Sequence, residues 1–151
     1  MNIYIASDHR GVDIENEIVN YLQSLSLNVS KTKLEHNDTD DYTDFAFEVG
    51  ENVVKDQGSL GILLCGTGIG MSIAANKVKG IRAARCVNTD DAFFSKNHNN
   101  ANVLCLGMNH TIEEMCDIID TFINTKKPEE EKHLRRVNKI IKYEEGTYNE
   151  L

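Results

Sequence analysis

The chain has 151 residues, a length that fits one domain across 1–151 with a core of useful size. Sixteen basic against 24 acidic residues give a formal charge of -8. That balance argues against a broad grip on nucleic acid or anionic lipid, but leaves room for a small anion held by a few local cations. No apolar run reaches the ~18 residues of a membrane-spanning helix. The first residues, MNIYIASDHRG, lack the basic-then-apolar pattern of a secretory leader, so we expect a cytoplasmic protein with no membrane partner.

Apolar runs of strand length alternate with helical patterns. Asn2 to Ala6 reads as a first strand, and Ile14, Ile18, Tyr21, Leu22 and Leu25 then recur at helical spacing. Leu27 to Ser30 is a second strand, followed by a loop, EHNDTDD, too polar for a core. Phe45, Val49, Val53 and Val54 mark a second helix. Gly61 to Cys65 is the strongest strand, with a helix over Gly68 to Val78. Ile81 to Cys86 and Asn102 to Leu106 are strands four and five, with a helix between them that runs to about His98. Thr111 and Glu114 form a capping box ahead of an apolar stripe through Ile112, Met115, Cys116, Ile119, Phe122 and Ile123. Pro128, followed by three glutamates, suits the first turn of a last helix to about Glu145. This alternation predicts an α/β fold, a three-layer doubly wound sandwich around a parallel five-stranded sheet of Rossmann or flavodoxin type, with an extra C-terminal helix. Such sheets bind ligands beyond the carboxyl ends of their strands, which lines up Ser7–Asp8–His9, Cys65–Gly66–Thr67 and the loops after strands four and five.

The four cysteines include no CxxC pair, so zinc and dithiol chemistry are poorly supported and we expect no metal and no cofactor. Cys86, Cys105 and Cys116 fall in apolar segments and read as reduced core residues. Cys65 is different, because it opens CGTGIG. The spacing is neither the dinucleotide fingerprint nor a P-loop. Glycines at a strand-to-helix turn let several backbone N–H groups converge on one anion. A thiol there feels the positive end of a helix, which favours the thiolate. A core cysteine would not need the glycines, so we read the pattern as functional. Asp8 also fits a plain N-cap, His98 and Asn99 a surface loop, and Tyr42 a half-buried loop anchor. Lys132 and Arg136, four apart on the last helix, suit either a phosphate or a solvated basic face.

Taken together, SDHRG (7–11), DYTD (41–44), CGTGIGMSIAANK (65–77), GIRAA (80–84) and HNNANVLCLG (98–107) resemble the ribose-5-phosphate isomerase B and galactose-6-phosphate isomerase family over nearly the whole length. The resemblance implies a metal-free aldose–ketose isomerase that moves a proton between C1 and C2 of a sugar phosphate through a cis-enediolate. Within it, Cys65 would be the base and Thr67 would shuttle protons at the sugar oxygens. The backbone of Gly66, Gly68, Ile69 and Gly70, with Ser72, would hold the enediolate end of the substrate. His98, aided by Asp8, would open the furanose ring. His9, Lys132 and Arg136 would face the phosphate, and Tyr42 and Asn99 would line the sugar.

The resemblance also implies a homodimer whose sites are shared between subunits, on its own or within a tetramer, so that His98 and Asn99 serve the partner's Cys65. Two positions depart from the family. Asn109 stands where an arginine is usual, which leaves His110 or Arg135 to compensate. Lys132 stands where the final-helix pattern has its first arginine and keeps the charge without the bidentate fork. A pentose 5-phosphate is the expected substrate, with a six-carbon sugar phosphate as the second choice and a non-catalytic sugar-phosphate-binding module as the third.

Overall fold

The computed structural model describes residues 1–150. Five strands, β1 (Asn2–Ser7), β2 (Asn28–Lys31), β3 (Leu60–Cys65), β4 (Ala83–Arg85) and β5 (Val103–Gly107), form one parallel sheet in the order β2-β1-β3-β5-β4. The helices are α1 (Val12–Ser24), α2 (Tyr42–Lys55), α3 (Ile69–Ala75), α4 (Thr89–Asn97), α5 (Ile112–Asn124) and α6 (Glu131–Glu144). No described helix is long and apolar enough to cross a membrane.

The pleat sends alternate side chains to opposite layers. Ile3, Ile5, Ile62, Leu64, Leu104 and Leu106 meet α1, α4 and α5 through Ile18, Leu22, Ala92, Met115, Ile119 and Phe122. Ala6, Leu63, Cys65, Val103 and Cys105 meet α2 and α3 through Phe45, Val49, Val53, Met71 and Ala75. The expected three-layer sandwich is therefore present. Every residue of β3 and β5 is buried, while β4 is half exposed. Hydrophobic demand thus explains why β5 sits inside the sheet and β4 takes the edge, a reversal of the last two strands relative to the flavodoxin order.

Three elements are shorter than their sequence patterns suggest. Asn76 interrupts the expected 68–78 helix: its side chain donates to Ala83 O (2.9 Å) and accepts Ala83 N–H (2.8 Å), capping the open edge of β4. Ile81 and Arg82 fall outside β4 because Ile81 N–H closes a turn on Val78 O and Arg82 N–H is bound by the Asn102 carboxamide. The last helix starts at Glu131 rather than Pro128, since Pro128 is buried and anchors the incoming chain. Cys86 and Cys105 are core residues, but Cys116 is only half-buried on α5. Thr111 Oγ1 accepts Glu114 N–H at 3.1 Å, as a capping box requires, whereas the Glu114 carboxylate turns to His110.

Helix α2 approaches β3 over Gly61, where an added Cβ would fall 2.8 Å from Val49 Cγ1 and 3.0 Å from Val103 Cγ2. Gly61→Ala should overpack this contact and cost about 1–3 kcal/mol, read as a lowered urea midpoint with an unchanged m-value.

Candidate active site

The sheet order reverses between β1 and β3, so their outgoing loops part and leave a crevice. Ser7 pairs with Leu64, so Asp8 and Cys65 lie next along two neighbouring strands where the site is expected. Cys65 is buried at the end of β3, and Gly68 N–H donates to its Sγ at 3.1 Å. Burial pushes the Cys86 thiol up to about 12 and raises the Cys105 thiol as well, which keeps both inert. Cys65 differs in that its sulfur is the acceptor of a backbone N–H.

The turn after Cys65 is fixed by backbone contacts. Gly68 has φ +77°, and a Cβ there would sit 3.0 Å from the Leu106 carbonyl carbon. Thr67 Oγ1 accepts Ile69 N–H (3.1 Å), and Thr67 O accepts Arg85 Nε (2.8 Å). Ser72 donates its hydroxyl to Ile69 O (2.7 Å). Gly66 is the exception: it is exposed, and a Cβ on it would meet nothing within 4 Å. Neither packing nor a positive φ accounts for that glycine, so the open space above it is available to a ligand.

Asp8 is almost fully buried and caps the short turn His9–Gly11, accepting Arg10 N–H at 3.1 Å and the Arg10 guanidinium at 3.1 and 3.3 Å. The N-cap reading is therefore realised, at the edge of the crevice. Tyr42 begins α2 and lays its ring on the glycine turn, where a Cβ at Gly70 would fall 2.5 Å from Tyr42 Cζ. His9 Nδ1 lies 2.6 Å from Asp40 Oδ1.

A second cluster forms between α4 and α6. His98, at the end of α4, stacks on His133 (centroids 4.0 Å apart, planes at 15°) and touches Phe94 (4.8 Å). Lys132 pairs with Glu130 at 3.4 Å, and Arg136 forms no salt bridge among the described residues. His133 is held below its usual value by burial, then by the neighbouring charges of His98, Lys132 and Arg136, with Glu130 opposing them. His110 and Arg135, the two residues that could offset Asn109, already face Glu114 (3.2 Å) and Glu131 (2.8 Å). Asn109 folds back over Gly107 beside the Thr67 carbonyl.

Within the chain, Asp8, His9, Tyr42, Cys65, Thr67 and the glycine turn thus come together, and so do His98, Lys132, His133 and Arg136. None of the hydrogen bonds, ion pairs or ring contacts among the described residues joins the two groups directly. Arg85 lies between them: it binds Thr67 O and shares a cavity of about 630 Å³ with Asn99, Phe94 and Ser95. Sequence reasoning missed Arg85, although its place at the carboxyl end of β4 is the signal that could have found it. Asp40 and His36 were missed because a polar loop gives no sign of which member turns inward. No group of three or more His, Cys, Asp or Glu side chains that could hold a metal ion occurs among the described residues.

Fold and crevice define a doubly wound α/β protein with a small-molecule site at the switch point. The chain belongs to the Ribose/Galactose Isomerase family, whose model matches residues 3–140. It is 44% identical to a probable ribose-5-phosphate isomerase B of Mycoplasma genitalium, with 97% of each chain covered. The structure of ribose-5-phosphate isomerase B from that organism with bound ribulose 5-phosphate superposes with a TM-score of 0.89, at 44% identity over 95% of this chain and 96% of the other. The Clostridium thermocellum ribose-5-phosphate isomerase B gives a TM-score of 0.90 at 40% identity, covering 97% and 99%.

Asp40 provides a pH test of the local geometry. Burial alone would raise its carboxyl, but hydrogen bonds from the His9 ring and backbone, the His36 ring and Asn37 N–H outweigh this and bring it from 3.8 down to about 2. A lowered acid stabilises the fold above its unfolded value and loses that contribution as pH falls through its folded value. The part of the stability advantage over Asp40→Ala that comes from the lowered carboxyl should be fully present above 3.8. It should narrow as pH drops from 3.8 towards 2, read by urea midpoints across that range.

Proposed function

We propose that the protein interconverts ribose 5-phosphate and ribulose 5-phosphate through a cis-enediolate, serving non-oxidative pentose phosphate metabolism in the cytoplasm, with residues 1–151 acting as one isomerase domain. The observation that carries this reading is the Cys65 sulfur at the switch point, accepting Gly68 N–H at 3.1 Å inside a turn where the amides of Gly66, Thr67 and Gly70 remain for an oxyanion. A base and an anion stabiliser placed side by side are what proton transfer next to a carbonyl requires. The Cys65 thiolate takes the carbon-bound proton and returns it to the neighbouring carbon. Within the Gly66–Gly70 turn, the N–H groups of Gly66, Thr67 and Gly70 hold the enediolate oxygen, since those of Gly68 and Ile69 are taken by Cys65 Sγ and Thr67 Oγ1, and Thr67 passes protons between the sugar oxygens.

Tyr42, on the glycine turn, borders the sugar together with Ile69, Ser72 and Asn99. His98, with Asp8, opens the ring, and the cations His9, Lys132 and Arg136 receive the phosphate. His98 and Asn99 sit in a cluster without direct contact to Cys65, which supports a homodimer in which each serves the partner's thiol. Exposed Ile69 and Ile73 on α3, Phe93 and Phe94 on α4, and Leu134 and Ile140 on α6 supply apolar surface for that pairing. The relative with bound ribulose 5-phosphate favours a five-carbon substrate. Asn109 and Lys132 keep a six-carbon sugar phosphate as the second reading, since a longer sugar moves the phosphate outward.

A direct assay of ribose 5-phosphate conversion in EDTA should show turnover that Cys65→Ala lowers by at least about a thousandfold. Unchanged activity in that variant would remove Cys65 as the base. Activity confined to six-carbon substrates would select the second reading, and binding of sugar phosphate without any turnover would leave only a binding module. Gly66→Ala separates ligand space from folding. Its melting temperature should stay within about 2 °C of the parent, because the new methyl meets no protein atom, while kcat/KM falls about tenfold or more.

A further inference from the structure

The loop after β2 ends in a carboxylate whose contacts are all internal. Asp40 is 6% exposed at its side chain. Its Oδ1 accepts His9 N–H (3.2 Å) and faces His9 Nδ1 (2.6 Å), while Oδ2 accepts Asn37 N–H (3.3 Å) and faces His36 Nδ1 (3.2 Å). His36 stacks on Phe45 (4.8 Å, 19°), and its Nε2 lies 4.0 Å from Glu15 Oε2. Glu15 is fully buried; Oε2 accepts the Ser7 hydroxyl at 3.0 Å, and Oε1 has no partner. The Ser7 hydroxyl also lies 3.0 Å from the carbonyl of Asp8. A continuous run of polar side chains therefore leads from the end of β1, behind the crevice, to the imidazole of His9.

An ionised carboxylate can only accept, so each ring nitrogen facing Asp40 must carry a hydrogen. In histidine, the bond made by one nitrogen decides what the other presents. With Nδ1–H of His9 committed to Asp40, Nε2 is the ring nitrogen left for a ligand, on a side chain that is 30% exposed. A proton added at Nε2 creates an imidazolium balanced by the same carboxylate, a form suited to a phosphate oxygen. Asp40 does not reach a ligand itself, since both of its oxygens are taken.

We infer that Asp40 is a positioning residue for the sugar phosphate: it fixes the Nδ1–H form and the aim of His9, and His36, braced by Phe45 and Glu15, holds Asp40 in place. This inference rests on the isomerase reading above for the identity of the ligand, though not for the geometry.

The test combines kinetics with nitrogen NMR of the full chain. Asp40→Ala should raise KM for ribose 5-phosphate about tenfold with kcat changed less than about threefold. In a His9→Ala background the same substitution should add almost nothing, because its effect passes through His9. A loop staple without this role would lower the melting temperature and leave KM alone, or would act equally with and without His9; either result overturns the inference. The ¹⁵N shifts of the His9 ring in the unaltered protein should show a protonated Nδ1, lost as a fixed state in Asp40→Ala. A neutral ring carrying its proton on Nε2 in the unaltered protein also overturns the inference. If the unaltered protein converts none of the sugar phosphates, the isomerase reading fails alone. The His9 ring shifts, followed during titration with inorganic phosphate, then decide the inference by whether the response of Nε2 depends on Asp40.

Discussion

The site depends on how closely the backbone after β3 approaches the end of β5. Cys65 O accepts Met108 N–H at 3.0 Å, Gly68 lies against the Leu106 carbonyl carbon, and a Cβ on Gly107 would fall 3.0 Å from the Thr67 backbone. Two facing glycines allow this, since a side chain at either would force the strands' exits apart. The turn is pulled in far enough for Gly68 N–H to reach the Cys65 sulfur, and Arg85 closes it from the β4 side. Packing beneath then holds the arrangement, because β3 and β5 are buried throughout. A turn stiffened by its own backbone and by a core strand needs little rearrangement when charge develops on a ligand, which is the condition for effective anion stabilisation.

Charge is distributed unevenly over a chain that carries -8 overall. The cations of α6 are gathered beside two stacked histidines, and the acids near them, Glu130 and Glu131, are exposed partners. Exposed pairs of this kind contribute little and exchange readily. On the proposed function, an arriving phosphate would take Lys132 from Glu130 at small cost. It would also offset the repulsion that adds to burial in holding His133 below its usual value, so binding and protonation at this cluster should reinforce each other.

Apolar runs of strand length alternating with helical periodicity made the sandwich legible, and the pleat then divides β1, β3 and β5 between the two apolar clusters. Periodicity failed at α3 and β4, where Asn76 and Asn102 replace backbone hydrogen bonds with side-chain ones, a substitution that hydrophobic spacing cannot reveal. The glycine turn was legible as a motif, since glycines beside a thiol have few uses. Asp40 was not legible: in EHNDTDD several side chains are short and polar, and only the three-dimensional path of the loop decides which is turned in to meet His9 and His36. Arg85 was legible from strand direction, since it ends β4 at the carboxyl edge of the sheet where such folds bind ligands.

The two halves of the candidate site raise a question of assembly. In the proposed reaction, a ring-opening histidine must come within hydrogen-bond reach of the sugar whose carbon-bound proton the thiolate takes. His98 is anchored by its stack on His133 and by Phe94, and it shows no contact with the Cys65 turn of its own chain. Helix α6 is set apart from the two apolar layers of the sheet: its Val137 belongs to neither cluster, and Leu134 and Ile140 face outward. A projecting helix with an apolar outer face gains most by covering a second copy of the same chain. In the proposed homodimer, a two-fold arrangement would carry His98, Asn99 and the cations of α6 towards the partner's thiol. On this reading the exposed apolar surface and the divided site are one feature, and the C-terminal helix links assembly to catalysis.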